Sequence, residues 1–212
     1  MSQEARTAKA GPLTGYRVLD FGWVLAGALP GMVLADMGAE VLKVETRQRM
    51  DYMRLGRPII GDEPDPEQHP LFHNVNRGKL SIALNTTKPE AIELIKGLVA
   101  HCDVVIENFS SRIMSRWGLG YDELRKLRPD VVYVSMAGFG QTGRQHYFGT
   151  MGPAAQALSG LTHQSGLPGE PPAGWGWSYL DDTGGMYGAM CTLTALHHRN
   201  QTGQGQHVDL SQ

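Results

Sequence analysis

Cysteine is scarce in this sequence, long apolar runs are missing, and neither sign of charge dominates. Two cysteines, Cys102 and Cys191, cannot build the disulfide framework of a small secreted domain. Each follows or lies within an apolar, helix-like run, so both are expected to be buried reduced thiols in a reducing compartment. No window approaches the roughly 18 apolar residues of a membrane span, and the start has no apolar stretch of signal-peptide length. A cytoplasmic protein with no membrane partner is therefore expected. The formal charge of −2 offers no basic field for a nucleic acid. The 27 glycines and 12 prolines follow no fixed period, which excludes a repeat array and leaves many tight loops.

What is present reads as alternating strands and helices. Residues 1–11 are expected to be a disordered lead-in, and 12–212 one large domain able to bury about 70% of its unfolded surface. RVLDF, AGALPGMVLADMGA and EVLKVE make a β-α-β unit, which implies a parallel sheet. Its first connection, Gly22 to Gly27, brings a strand end into a helix start, where unpaired N–H groups favour anions. Residues 46–77 are polar and weakly periodic, and are expected to form a long surface excursion. LSIALN, KPEAIELIKGLVAHC and DVVIEN form a second unit, with Pro89 in the first turn of its helix. YDELRKLRPD, VVYVSMAGFG and PAAQALSGL read as helix, strand and helix. An apolar helix is expected from near Asp182 to Asn200, then a last strand, QHVDLS. The expected fold class is α/β, a doubly wound, mostly parallel Rossmann-like sheet with flanking helices.

The histidines carry little chemistry. His69 and His73 have i,i+4 spacing, but Pro70 between them disfavours helical geometry and no further ligand stands nearby, so no metal site is expected. His146 reads as a loop residue. Trp175, Trp177 and Tyr179 either wall an acyl pocket or simply pack a Gly/Pro loop.

Seven strings stand in a fixed order: VLDFGWVLAG, LADMGAEVLKVE, NRGKLSIALN, DVVIENF, GFGQTG, AQALSGL and HHRNQTGQGQHVDLSQ. Together they resemble the family III (CaiB/BaiF-type) CoA-transferases over about Pro12 to Gln212. The resemblance implies an enzyme that moves coenzyme A from an acyl-CoA to a carboxylic acid. CoA and acyl-CoA are then substrates, and no cofactor is permanently bound. It places the nucleophile in SYLDDTGGMYGA at Asp181, which would pass through an aspartyl covalent intermediate. Either aspartate of this pair suits an N-cap, and the resemblance leaves Asp182 as that cap or as a residue supporting the nucleophile from behind. A helix N-terminus would keep the nucleophile ionised. The same resemblance carries CoA contacts to Leu25, Ala26, Asn108, Phe109 and Arg116, with Gly27 permitting close approach of the ligand. Thr46 stands where some members have a phosphate-binding arginine, which Arg47 is the neighbour to replace.

Two alternatives accompany this reading. Racemases and epimerases of the superfamily use a histidine where this chain has Met151, so that chemistry lacks its base. The family is also longer by roughly as many residues again, and includes a small second domain. The sequence is accordingly expected to be its amino-terminal half, within an interlocked homodimer when full length or a heteromer with a chain supplying the rest. A non-catalytic or partner-dependent CoA-binding subunit is the other outcome.

Overall fold

Consecutive apolar residues in the central strands feed two buried faces of one sheet. In the computed structural model, which describes residues 11–63 and 65–212, the strands are β1 (Arg17–Asp20), β2 (Glu40–Glu45), β3 (Leu80–Ala83), β4 (Val104–Glu107), β5 (Val132–Ala137) and β6 (Gln206–Ser211). They form one sheet in the order β3-β2-β1-β4-β5-β6, parallel throughout. The helices are α1 (Val24–Asp36), α2 (Pro70–Asn76), α3 (Pro89–Val99), α4 (Ile113–Arg116), α5 (Tyr121–Leu127), α6 (Gly152–Leu158) and α7 (Tyr179–Thr202). Val18, Val104, Ile106 and Val134 face Leu34 of α1 and Leu196 of α7. Leu19, Val105 and Tyr133 face Ile95 and Val99 of α3 and Leu124 of α5. Both faces are covered, as a parallel sheet requires. The winding reverses between β1 and β4, which opens a crevice at their carboxyl ends.

Helix α7 reaches the sheet because of its glycines. A Cβ on Gly185 would lie 2.6 Å from Leu29 Cβ, and one on Gly188 would lie 2.6 Å from Met136 Sδ. Glycine lowers helix propensity by about 1 kcal/mol, yet here it lets α7 and α1 touch. α7 begins three residues before the expected Asp182, at Tyr179. Ser178 occupies the N-cap position, and its carbonyl accepts the N–H groups of Asp181 (2.8 Å) and Asp182 (3.2 Å). Asp182 is therefore not the cap.

Three further expectations change. The 46–77 segment is not wholly a surface excursion, because Met53, Phe72 and Val75 pack with Leu25, Leu29 and Met32 in a third apolar cluster. Pro70 occupies the first turn of α2, where no N–H is needed, so it starts that helix. His69 caps the same helix, its Nδ1 accepting the Phe72 N–H at 3.4 Å. Cys102 is buried as expected, whereas Cys191 is partly exposed on α7. Of the expected lead-in, residues 1–10 lie outside the described residues; Gly11 opens a turn in which its carbonyl accepts the Thr14 N–H at 3.0 Å. Among the described residues no helix is long and apolar enough to cross a membrane, and no cluster of three or more His, Cys, Asp or Glu has the arrangement of a metal site.

Candidate active site

The β1–α1 turn sits at the crevice, and side chains hold its backbone. The Asp20 carboxylate accepts the Gly22 N–H at 2.7 Å, and the Lys43 ammonium donates to the Gly22 carbonyl at 2.5 Å. The Asn108 amide grips Trp23 at both ends, accepting its N–H at 2.8 Å and donating to its carbonyl at 2.9 Å. Asp51 accepts the Val24 N–H at 3.0 Å. Donors expected to meet an anion are thus already partnered at Trp23 and Val24. Gly27 permits a close approach, but that of Asn108, whose Oδ1 would stand 2.3 Å from an added Cβ.

Asp181 lies in the first turn of α7 and is 8% exposed. Its Oδ1 accepts a hydrogen bond from the Gln212 amide at 3.2 Å. Gly152 is pressed against it, since a Cβ there would lie 2.9 Å from the carboxylate. Burial raises the Asp181 carboxyl above its ordinary range. The hydrogen bonds of Gln212, Ser178 and the Gly152 N–H oppose that shift, while neighbouring Asp182 adds to it. Desolvation thus works against the anion that the helix end was expected to favour.

Two cavities meet at Trp23, Phe109 and Ser110. The first, about 210 Å³, is lined by Val24, Ala26, Tyr52, Asn108, Phe148, Met151, Asp181 and Gln212 among others. The second, about 370 Å³, runs over the carboxyl ends of β2 and β3 between Thr46, Gln48, Arg49, Leu84, Thr86, Thr87, Ile113 and Trp117. The fold thus brings Ala26, Asn108, Phe109 and Asp181 together. Asp182 does not line either cavity. Leu25 turns into the third apolar cluster. Arg116 is exposed on α4 and lines neither cavity, although Ile113 and Trp117 beside it do. Thr46 borders the second cavity; Arg47 does not, and Arg49 supplies the cation, 5.7 Å from the Trp23 ring centre. Trp175 and Trp177 are exposed and border neither cavity; Trp175 packs on Tyr179, with ring centres 4.4 Å apart. A larger concavity, about 570 Å³, lies at the opposite ends of the strands around Tyr16, Arg17, Glu40 and Asp103. Its Arg17 is already paired with Glu40, and it holds no candidate nucleophile.

Glu107, which precedes Asn108, was not among the expected site residues. Its one signal is an acidic residue closing an apolar strand. Its Oε2 accepts the Phe109 N–H at 2.8 Å and its Oε1 the Gln141 amide at 3.4 Å. Burial pushes its carboxyl up to about 7; Ser135 and the Phe109 N–H resist and Asp209 assists. Because the folded value is raised, the stabilising contribution is complete below the unfolded value near 4.5 and is lost as pH climbs through about 7. Glu107→Gln holds the neutral form, and at pH 8 should exceed the parent's stability by up to about 3 kcal/mol. Urea melts at pH 5 and pH 8 check this: a difference between variant and parent that does not grow with pH would exclude it.

Comparison with known proteins matches this scaffold. The sequence profile of CoA-transferase family III covers residues 13–212. The succinate–glutarate CoA-transferase of Agrobacterium fabrum is 39% identical over 202 residues, covering 94% of this chain and 50% of that protein. The succinyl-CoA:mesaconate CoA-transferase of Haloarcula marismortui is 41% identical over 203 residues, covering 94% and 51%. A crystal structure of a CaiB/BaiF family protein from Brucella suis superposes with a TM-score of 0.88 at 36% identity, covering 96% of this chain and 53% of that one. The chain spans about half the length of the relatives it matches.

Proposed function

The chain belongs to CoA-transferase family III, and on that footing we propose that its crevice takes an acyl-CoA and that Asp181 carries the chemistry of CoA transfer to a carboxylic acid. The observation that carries this reading is the buried Asp181 carboxylate in the wall of a cavity at the carboxyl ends of the strands. An Asp181 oxygen attacks the thioester carbonyl, forming an acyl-aspartyl anhydride and expelling CoA thiolate. The thiolate then attacks the aspartyl carbonyl, giving an aspartyl-CoA thioester and releasing the donor acid as a carboxylate. The acceptor carboxylate and CoA repeat these two steps in reverse, which restores Asp181.

The second cavity supports the same reading, with Arg49 and the Thr86 hydroxyl available to a phosphate and the Trp117 and Phe109 rings to the base, while the Thr87 hydroxyl already donates to Asn85 at 2.7 Å. The named relatives use succinate, glutarate and mesaconate, so dicarboxylates are the first acceptors to assay. Met151 lines the first cavity where a racemase would need a base. Met186, Tyr187 and Met190 are exposed along α7, in keeping with a homodimer in which a second copy covers them. The free cysteines accord with a cytoplasmic setting. Hydroxylamine trapping tests the chemistry: acyl-CoA turnover should leave an aspartyl hydroxamate, mapped by mass spectrometry to Asp181. A label on Asp182 or no label at all would overturn the assignment; CoA binding without any label would favour a CoA-binding subunit instead.

A further inference from the structure

Val24 is a β-branched residue with a φ of +55°, a region such side chains rarely enter without being forced. It stands in the wall of the first cavity, next to Trp23, which borders both. Strained backbone of this kind persists only where its surroundings hold it. Among the described contacts, the Val24 N–H is held by Asp51 Oδ2 at 3.0 Å. Asp51 is 3% exposed, and its other oxygen accepts the Met53 N–H at 2.9 Å. The buried Lys43 ammonium lies 3.8 Å from Asp51 while bonding the Gly22 carbonyl, so one charge pair touches both ends of the turn.

The segment carrying Asp51 is itself anchored to the sheet. Arg54 donates to both oxygens of Glu45 at 2.9 Å, at the end of β2, and lies 3.6 Å from the Phe72 ring centre. A paired arginine in that fork geometry is a rigid support. An aspartate 27 residues downstream of Val24 is thus braced against β2 and holds the β1–α1 turn in a form the turn would not adopt alone.

We propose that Asp51 is a positioning residue: through the Val24 N–H it holds the Gly22–Val24 turn in the left-handed form that sets Trp23 and Ala26 against CoA. The proposal rests on the reading that this crevice binds CoA. Asp51 takes no part in the chemistry; releasing it lets Val24 return to negative φ and moves the wall shared by the two cavities.

Free CoA, titrated calorimetrically into the full protein, is the probe. Asp51→Ala should weaken CoA binding about tenfold, whereas in a Val24→Gly background the same change should weaken it less than about threefold, because glycine adopts positive φ without being held. A purely structural role predicts equal losses in the two backgrounds. Equal losses, or no loss from Asp51→Ala, would overturn the proposal while the CoA reading stands. So would a Val24→Gly protein that folds but does not bind CoA. A parent that fails to bind CoA sinks the reading and the proposal together. If Asp51→Ala does not fold, Asp51→Leu, which fills the volume and likewise removes the acceptor of the Val24 N–H, completes the cycle under the same criterion.

Discussion

Replacing Asp181 by alanine should lower CoA transfer by at least about a thousandfold, because the group proposed to form both covalent intermediates is gone. Asp181→Asn should fall nearly as far, since an amide keeps the shape but not the nucleophilic oxygen. Asp182→Ala should stay within about threefold of the parent, as Asp182 lines neither cavity and is not the N-cap. Steady-state rates with an acyl-CoA and a dicarboxylate distinguish these outcomes. A rate for Asp181→Ala within tenfold of the parent would remove the residue from the mechanism. The pH dependence has a definite sign. In the proposed mechanism only ionised Asp181 attacks, and burial raises its carboxyl, so activity should fade with acidification at a higher pH than an ordinary aspartate would impose. Gln212→Leu removes a hydrogen bond that favours the anion, and should move that acid limb further upward.

Lys79→Met is expected to cost about 3–5 kcal/mol of folding stability. The Lys79 ammonium donates to Asp20 at 2.7 Å, to the Ala28 carbonyl at 2.7 Å and to Asn76 at 3.0 Å, and both members of the ion pair are almost wholly shielded from water. Burial pulls Lys79 down to about 8, with Lys43 pressing the same way and Asp20 and Asp51 opposing. Losing the lysine strands the Asp20 carboxylate beneath the β1–α1 turn with only the Gly22 N–H among its described partners. The penalty therefore comes mainly from an orphaned charge rather than a lost attraction, which gives a second arm to the measurement. Asp20→Asn in the Lys79→Met background removes that charge and should recover part of the loss. Chemical denaturation of the parent, the single variant and the double variant settles it. A Lys79→Met protein within about 1 kcal/mol of the parent, or a double variant less stable than the single one, would show that the pair does not carry this load.

The strands and crossover helices were legible because their signal is local. Apolar periodicity marked β1, β2, β4 and β5, and Pro89 marked the start of α3. The order of motifs pointed to the family, and the parallel sheet with its reversal between β1 and β4 followed that expectation. The segment between β2 and β3 was read less well. Its three core residues, Met53, Phe72 and Val75, are too few and too widely spaced to form a periodic pattern. Pro70 misled for a related reason: proline breaks a helix interior but suits its first turn, and only the boundary tells which applies.

Within the site the division is sharper. Ala26, Asn108, Phe109 and Asp181 could be proposed from motifs because each lies at a strand end or a helix start that the chain order locates. What each side chain touches was decided by tertiary structure. Asn108 spends its amide on Trp23, Leu25 turns inward, Arg116 stays in solvent, and Arg49 rather than Arg47 borders the cavity. Nor could spacing show that Asp51 holds Val24, or that Gln212 reaches Asp181 from the end of β6. By itself the sequence determined the succession of elements and the chemical types available at the crevice, since local periodicity and side-chain chemistry need no partner. Only the tertiary structure decided which polar groups are already satisfied and which remain for a ligand, because burial and hydrogen bonding depend on neighbours tens of residues away.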